Sequence, residues 1–259
     1  MSFKPVCVIP ARLASSRFPR KLLAPFQGYP IIEHVRRRAL LVEAFDRVVV
    51  ATCDREIYDL VRSNGGDAVM TSGEHPNGTS RVAEAIENVD CSHVVLLQGD
   101  EPLILPSHLA VMVETISARV DCKMLNAVGP IENFDELLQV SSVKFTVARN
   151  NRIIYCFRQS PAISEASVQT EYIRKLLGLI AFEREFILEL STLPETIVCQ
   201  TESIEQMKLI ENGFYIDAVN LDVSIKGVNE PADLDEANAY FFQNAEQQIC
   251  FRQSFGLNK

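Results

Sequence analysis

The sequence predicts an α/β protein on a mostly parallel central sheet flanked by helices, with a more antiparallel second half. Two features of its 259 residues carry that prediction. In the first half, short apolar runs alternate with amphipathic helical patterns, the rhythm of right-handed strand–helix–strand units in a doubly wound sheet. In the second half the strand-like runs carry alternating or β-branched residues, the pattern of antiparallel strands with one solvated face. No repeat, linker or low-complexity tract interrupts the chain, so it reads as one domain.

Residues 6–9 form the first strand, broken by Pro10. Pro30 opens a helix with Ile31, Ile32, Val35 and Leu40 on its apolar side and the arginines 36–38 on the other. Arg47–Thr52 is a buried parallel strand, and Asp54 is the expected N-cap of the helix Arg55–Ser63, which Gly65 and Gly66 end. A short strand over 68–71, a helix over 80–89, the strand His93–Leu97 and a helix over 109–117 follow. Strands are then expected at 124–128, 142–147 and Ile153–Phe157, with a turn at Asn150 and Asn151. The remainder reads as a strand at 176–182, a short helix at 185–190, a helix over 202–211 stopped by Asn212-Gly213, a strand at 214–219, and a last helix begun by Pro231.

Composition excludes several function classes. With 47% hydrophobic residues the chain has ample material for a core. A net charge of −9 and no long basic face argue against a nucleic-acid binder. The N-terminus MSFKPVCVIP has no signal-peptide pattern, and no apolar run approaches the ~18 to 20 residues of a membrane span, so a soluble, cytoplasmic protein with no membrane association is expected. Seven cysteines scattered singly read as reduced structural thiols.

Three segments carry chemistry. The first follows the first strand: Arg12, Arg17, Arg20 and Lys21 gather in one loop, and no Asp or Glu precedes Glu33. The small residues Ala11, Ala14, Ser15 and Ser16 let backbone N–H groups approach a ligand, and the cations supply charge-assisted bonds to phosphate oxygens at a strand C-terminus, where open sheets bind ligands. Charge alone leaves a plain basic surface loop equally open. The second is Gln98-Gly-Asp-Glu-Pro102, in which Asp100 either holds Mg²⁺ beside a polyphosphate or caps the helix that follows. The third is the polar loop Met70-Thr-Ser-Gly-Glu-His-Pro-Asn-Gly-Thr-Ser-Arg81, where His75 has no obvious carboxylate partner and is given a binding role at most. No P-loop, GxGxxG or nucleophile elbow occurs.

These segments resemble one family. Pro10-Ala-Arg-x-x-Ser-x-Arg-x-Pro-x-Lys21, Gly28-x-Pro-Ile-Ile-x-His-Val35, Met70-Thr-Ser-x-x-His-x-x-Gly-Thr-x-Arg81, Gln98-Gly-Asp-Glu-Pro102, Val143-Lys144, Tyr155-x-x-Arg158, Glu205-Gln-x-Lys208 and Gly227-Val-x-x-Pro-x-Asp-Leu234 are similar, in order, to the 3-deoxy-manno-octulosonate cytidylyltransferases, or CMP-Kdo synthetases. The resemblance implies a Rossmann-like nucleotidyltransferase fold, with residues 1–120 as the nucleotide-binding half, 121–226 as the sugar-acid and dimer portion, and 227–247 as a final helix returning to the core. It also implies CTP and an acidic sugar as substrates, Mg²⁺ as cofactor, pyrophosphate as product and a homodimer. Carried over, Arg12, Lys21 and Asp100 would be catalytic. Pro10, Ala11, Ser16, Arg17, His75, Gly78, Thr79, Arg81 and Gln98 would complete the nucleotide site. Arg158, Glu205 and Gln206 would face the sugar acid, and Asp100 and Asn229 would hold the metal.

The sequence also departs from that pattern. A family Gly is Arg20, a Pro is Leu22 and an Asp is Cys53. The family's second metal-binding Asp is Asn229, whose carbonyl oxygen lacks the charge that offsets Mg²⁺. The family's His-x-Gly-Ile-Tyr-x-Tyr strand is Leu176-Leu-Gly-Leu-Ile-Ala-Phe182, an exchange of polar for apolar groups that predicts a less hydroxylated or differently substituted acid. Two readings stay open: an active cytidylyltransferase, and a non-catalytic nucleotide-binding relative.

Overall fold

The protein is described by a computed structural model covering residues 3–119, 122–190 and 192–257. It opens with β1 (Pro5–Ala11), a 3₁₀ turn (Lys21–Leu23) and the short hairpin of β2 (Pro25–Phe26) and β3 (Tyr29–Pro30). There follow α1 (Ile31–Ala39), β4 (Arg47–Thr52), α2 (Arg55–Ser63), β5 (Asp67–Met70), α3 (Gly78–Ile86), β6 (His93–Leu97) and α4 (Pro106–Ser117). The second half contains β7 (Met124–Pro130), α5 (Phe134–Leu138), β8 (Lys144–Val147), β9 (Ile153–Phe157), α6 (Ala166–Tyr172), β10 (Ile173–Glu183), α7 (Arg184–Leu190), α8 (Ile197–Glu202), α9 (Glu205–Glu211), β11 (Asp217–Asn220), α10 (Pro231–Gln243) and α11 (Ala245–Phe255).

One sheet runs through the molecule in the order β11-β7-β10-β6-β1-β4-β5. β1 pairs in parallel with β4 and β6, and β4 with β5, as the strand–helix alternation predicts. β10 runs against both β6 and β7, and carries the β8–β9 hairpin on its first residues. Successive side chains of β1 point to opposite sides, Cys7 and Ile9 into one core and Val6 and Val8 into the other. The first core is covered by α1, α2, α4 and α10, the second by α3, α7 and α9. That is why these strands read as unbroken apolar runs.

Several expectations need correction. β1 continues through Pro10 to Ala11, because its ladder to β6 ends at Val8 and a proline can stand where one edge of the strand is open. The helix expected at 80–89 begins at Gly78, where Asn77 accepts the Ser80 N–H at 2.9 Å. The helix expected over 202–211 is two helices, split at Ser203 in the left-handed region (φ 53°). Arg36 and Arg38 are not on a solvent face. Both are buried: Arg36, forked onto Glu33, lies against the turn after α2, where it donates to Asn64 O at 3.4 Å, and Arg38 donates to Gln247 Oε1 at 2.7 Å because α11 packs over α1. Leu40, expected on the apolar side, is exposed instead.

Candidate active site

A cavity of about 300 Å³ opens at the C-terminal ends of β1 and β6. Pro10 and Ala11 end β1 at its floor, and the following loop folds back to supply Arg12, Ser16, Arg17 and Lys21. Two bonds fix the loop: Arg20 N donates to Leu13 O at 3.1 Å, and Leu13 N donates to Asp54 Oδ2 at 2.7 Å. Asp54 therefore stands at the N-cap position of α2, but its carboxylate anchors the basic loop and caps nothing. Arg20 holds φ 61°, a region that favours Gly, and its guanidinium is paired with Glu56.

Three cations of the loop differ in what they touch. Arg12 is exposed, and among the described residues it has no hydrogen-bond or ion-pair partner. Lys21 pairs with Asp100 and donates to Asn229 Oδ1 at 3.1 Å. Arg17 donates to the same Asn229 oxygen at 3.3 Å and lies 3.6 Å from Glu230. Asp233 holds that corner in place by accepting the N–H groups of Asn229 and Glu230, both at 2.8 Å. Asp100 does not cap a helix: α4 begins six residues later, at Pro106, and the Asp100 carboxylate is turned to Lys21. Asp100 and Asn229 thus aim two hard oxygens at one point, occupied by an ammonium. Among the described residues no group of three or more His, Cys, Asp or Glu side chains could hold a metal. A divalent ion here would rest on these two oxygens, water and ligand phosphates, a donor set that suits Mg²⁺.

The opposite wall comes from the loop before α3 and from β6. His75, Gly78, Arg81 and Gln98 line the cavity. His75 does have a carboxylate partner: Nε2 contacts Glu84 in the second turn of α3, which also accepts the Ser72 N–H at 2.9 Å. Burial alone would raise the Glu84 carboxyl, but these bonds and the Arg81 charge hold it below its ordinary range. Arg81 is buried and donates to Thr71 Oγ1 at 2.6 Å and Ser72 O at 3.1 Å. Thr79 lies outside this cavity. Its hydroxyl faces the Glu205 carboxyl, and with Gln206 the pair borders a separate void of about 10 Å³. Burial raises Glu205 to about 7, and Gln206 donates to Asn126 Oδ1 at 3.1 Å.

A second cavity, about 740 Å³, adjoins the first through Arg17 and Asn229. Arg158 borders it, as do Lys175 and Lys226. Lys175 is bonded to Ser224 and, at 2.9 Å, to Glu136. Glu101 forms the floor, wedged between Gly178 and Gly227. A Cβ on Gly178 would come within 2.6 Å of Glu101 Oε1, which accepts the Gly178 N–H at 3.1 Å. Glu101 Oε2 is buried without a hydrogen-bond partner among the described residues, and burial, with the Asp100 charge, raises this carboxyl to about 8. Of the apolar replacements at 176, 180 and 182, only Leu176 lines this space. Ile180 and Phe182 are buried and face the 10 Å³ void.

The sequence reading missed Asp54, Glu84, Asn77, Lys175 and Ser224. Asn77, three residues before Ser80, carries a readable N-cap signal. Glu84 lies on the cavity side of α3, nine residues after His75, and only the loop's return brings them together.

A basic loop at strand ends, facing a carboxylate and joined to a second polar cavity, is an arrangement that suits a nucleotidyltransferase on an α/β sheet. A family model described as cytidylyltransferase matches residues 6–222. The 3-deoxy-manno-octulosonate cytidylyltransferases of Chlorobium limicola (40% identical, 89% of this chain, 94% of that one) and Trichlorobacter lovleyi (34%, 90% and 96%) are similar over nearly their whole lengths. A solved CMP:2-keto-3-deoxy-manno-octonic acid synthetase in complex with CTP superposes with a TM-score of 0.85, at 33% identity over 93% of this chain and 99% of that one. The 4-diphosphocytidyl-2C-methyl-D-erythritol synthase of Anaerococcus prevotii shares the fold at 13% identity, with a TM-score of 0.65. The chain belongs to the 3-deoxy-manno-octulosonate cytidylyltransferase family.

Proposed function

We propose that this protein joins CMP from CTP to a 2-keto-3-deoxy sugar acid, 3-deoxy-manno-octulosonate or a related acid, and releases pyrophosphate. The observation that carries the reading is Arg12, a cation without a partner among the described residues, set beside Arg17 and Lys21 on one loop of a 300 Å³ cavity. Three cations on one loop suit a triphosphate.

In this reading Pro10, Ala11 and Ser16 bring the loop backbone against the phosphates, and Arg12, Arg17 and Lys21 neutralise them. His75, Gly78, Arg81 and Gln98 surround the cytosine end. The acceptor occupies the 740 Å³ cavity, where Lys175 and Lys226 offer charge to its carboxylate and Leu176 presents an apolar wall. The anomeric hydroxyl of the acid attacks the α-phosphorus in line with pyrophosphate. The new bond is C–O–P, the bond to the β-phosphate oxygen breaks, and the hydroxyl proton leaves to solvent. Asp100 and Asn229 would hold Mg²⁺, which when bound offsets charge on the phosphoryl oxygens. Lys21, which sits between those two oxygens, is then free to turn to the phosphates.

Homodimerisation belongs to the same proposal. It is supported by exposed apolar side chains of the second half, Val140, Ile154 and Tyr155. Dependence on CTP puts the reaction in the cytoplasm, and among the described residues no helix is long and apolar enough to cross a membrane.

The test is calorimetric titration of CTP and of ATP, with Mg²⁺, into wild type and Arg12→Ala. CTP is expected to bind the wild type tightly, ATP weakly, and the variant weakly with both. Asn229 favours the second reading, a nucleotide-binding relative without turnover, which binding would leave standing and turnover would remove.

A further inference from the structure

Two cations at the wall of the larger cavity, Lys144 behind it and Arg158 lining it, have no part in the transfer proposed above. Lys144 on β8 is fully buried, and among the described residues no carboxylate forms an ion pair with it. Its ammonium donates to three main-chain carbonyls: Gln139, Ser142 at 2.9 Å and Arg158 at 2.7 Å. Burial, with the nearby Arg158 charge, lowers its pKa to about 8, so it remains largely an ammonium with three protons to donate near neutral pH.

Arg158, just past β9, repeats the pattern. Its Nε donates to Glu202 O at 2.9 Å and one terminal nitrogen to Ser203 O at 2.9 Å. The other terminal nitrogen reaches Val140 O at 3.2 Å and Ser141 O at 3.4 Å. Between them the two side chains hold the carbonyls of residues 139, 140, 141 and 142, four of the five residues that lead from α5 to β8, while the fifth carbonyl, that of Val143, accepts the Leu176 N–H at 2.9 Å. Apart from the Ser142 N–H on Gln139 O at 3.1 Å, no backbone bond among the described residues reaches those four carbonyls, and Gln139, Ser141 and Ser142 form part of the wall of the acceptor cavity. Arg158 also ties the wall to Ser203, the break between α8 and α9.

These bonds decide what Arg158 can do. A guanidinium has five N–H groups, and four carbonyls here leave one unused. A fork onto a carboxylate needs two parallel N–H groups on one edge, and the edge shared by Nε and its neighbour is already spent on Glu202 and Ser203. We propose that Lys144 and Arg158 together form a clasp that fixes the 139–142 wall of the acceptor cavity, so that Arg158 is a positioning residue and not a ligand of the sugar acid. The proposal rests on the cytidylyl-transfer reading for what the cavity holds. The clasp itself rests on the seven hydrogen bonds.

The test is steady-state kinetics with CTP, Mg²⁺ and 3-deoxy-manno-octulosonate on wild type, Lys144→Met, Arg158→Lys and the double variant, beside hydrogen exchange of the full-length proteins. In each single variant the KM for the acid is expected to rise about tenfold while that for CTP stays within about twofold. The double variant should be no worse than the weaker single, because both side chains hold one wall. Exchange of the amides at 140–143 should quicken in Arg158→Lys, which keeps the charge but loses the fork. An unchanged acid KM in Lys144→Met beside a raised one in Arg158→Lys would make Arg158 a direct ligand and overturn the proposal, as would multiplicative effects in the double variant. If Lys144→Met does not fold, unchanged exchange at 140–143 in Arg158→Lys overturns it equally. If wild type releases no pyrophosphate with this acid, the transfer reading fails with that acid, and the exchange measurement still decides the clasp.

Discussion

Lys21 donates to Asn229 Oδ1 at 3.1 Å, and the same ammonium pairs with Asp100. One side chain thus joins the basic loop, the turn after β6 and the start of α10, three segments that meet only at the cavity. The oxygens it holds are those that would face Mg²⁺ in the proposed reaction.

Asp100 is the only charged member of that oxygen pair, since Asn229 contributes a dipole. Turnover in Asp100→Asn should fall by about 10² to 10³ at saturating Mg²⁺, far more than in Asn229→Ala. Asn229→Asp should lower the Mg²⁺ concentration needed for half-maximal turnover. A titration of rate against Mg²⁺ for the three variants checks this. Near wild-type turnover in Asp100→Asn would remove the metal from the account.

Gly178 and Glu101 are in contact at the junction of the two cavities. A Cβ at 178 would press to 2.6 Å on a carboxylate that is buried and cannot swing aside. Gly178→Ala should destabilise the fold by about 1 to 3 kcal/mol, measured as urea midpoint shift, and should do so much less in a Glu101→Ala background. Additive effects would show that the strain lies elsewhere.

The first half of the fold was legible because its strands are buried on both sides and so read as plain apolar runs. Arg47–Thr52 and His93–Leu97 fall where expected to the residue. The arginines of α1 were misread because what buries them lies far off in sequence: the turn after α2 for Arg36, and α11, which gives no strong periodic signal, for Arg38. The break at Ser203 was hidden because the apolar spacing runs on across it. The smaller cavity, assigned to the nucleotide under the proposed function, was legible as a cluster because contiguous loops build it, with Thr79 the exception. The acceptor cavity was not, because Lys175, Ser224 and Glu136 come from three segments that only β10 and its neighbours bring together, and no spacing in the chain encodes that meeting.

His34 gives the fold a pH dependence. It is fully buried among Phe26, Phe251 and Phe255, donates through Nε2 to Phe26 O at 2.6 Å, and has no partner for Nδ1 among the described residues. Burial, with the charges of Arg38 and Arg37, lowers its pKa from 6.5 to about 3. The unfolded chain therefore binds a proton that the folded chain refuses, so this contribution to stability is complete above pH 6.5 and is lost as the pH falls toward 3. Between those limits the loss approaches about 1.4 kcal/mol per pH unit. His34→Gln keeps a donor for Phe26 O and does not titrate. Its unfolding free energy should fall less steeply between pH 6 and pH 4 than that of wild type, by about one proton's worth. Parallel slopes would contradict the assignment.

The exposed apolar residues of the second half should be covered in solution. Light scattering at micromolar concentration is expected to give twice the chain mass, and Ile154→Glu with Tyr155→Glu should return it to one. A monomeric wild type would reject the dimer.

The most direct test of the central claim is acid-dependent pyrophosphate release with Mg²⁺, comparing CTP with ATP across a panel of 2-keto-3-deoxy sugar acids that includes 3-deoxy-manno-octulosonate. The account predicts release with CTP that requires one of these acids, and at least about a hundredfold less with ATP, the discrimination expected where buried polar groups read the base. CTP binding without release for any acid, or equal release with ATP, would contradict it.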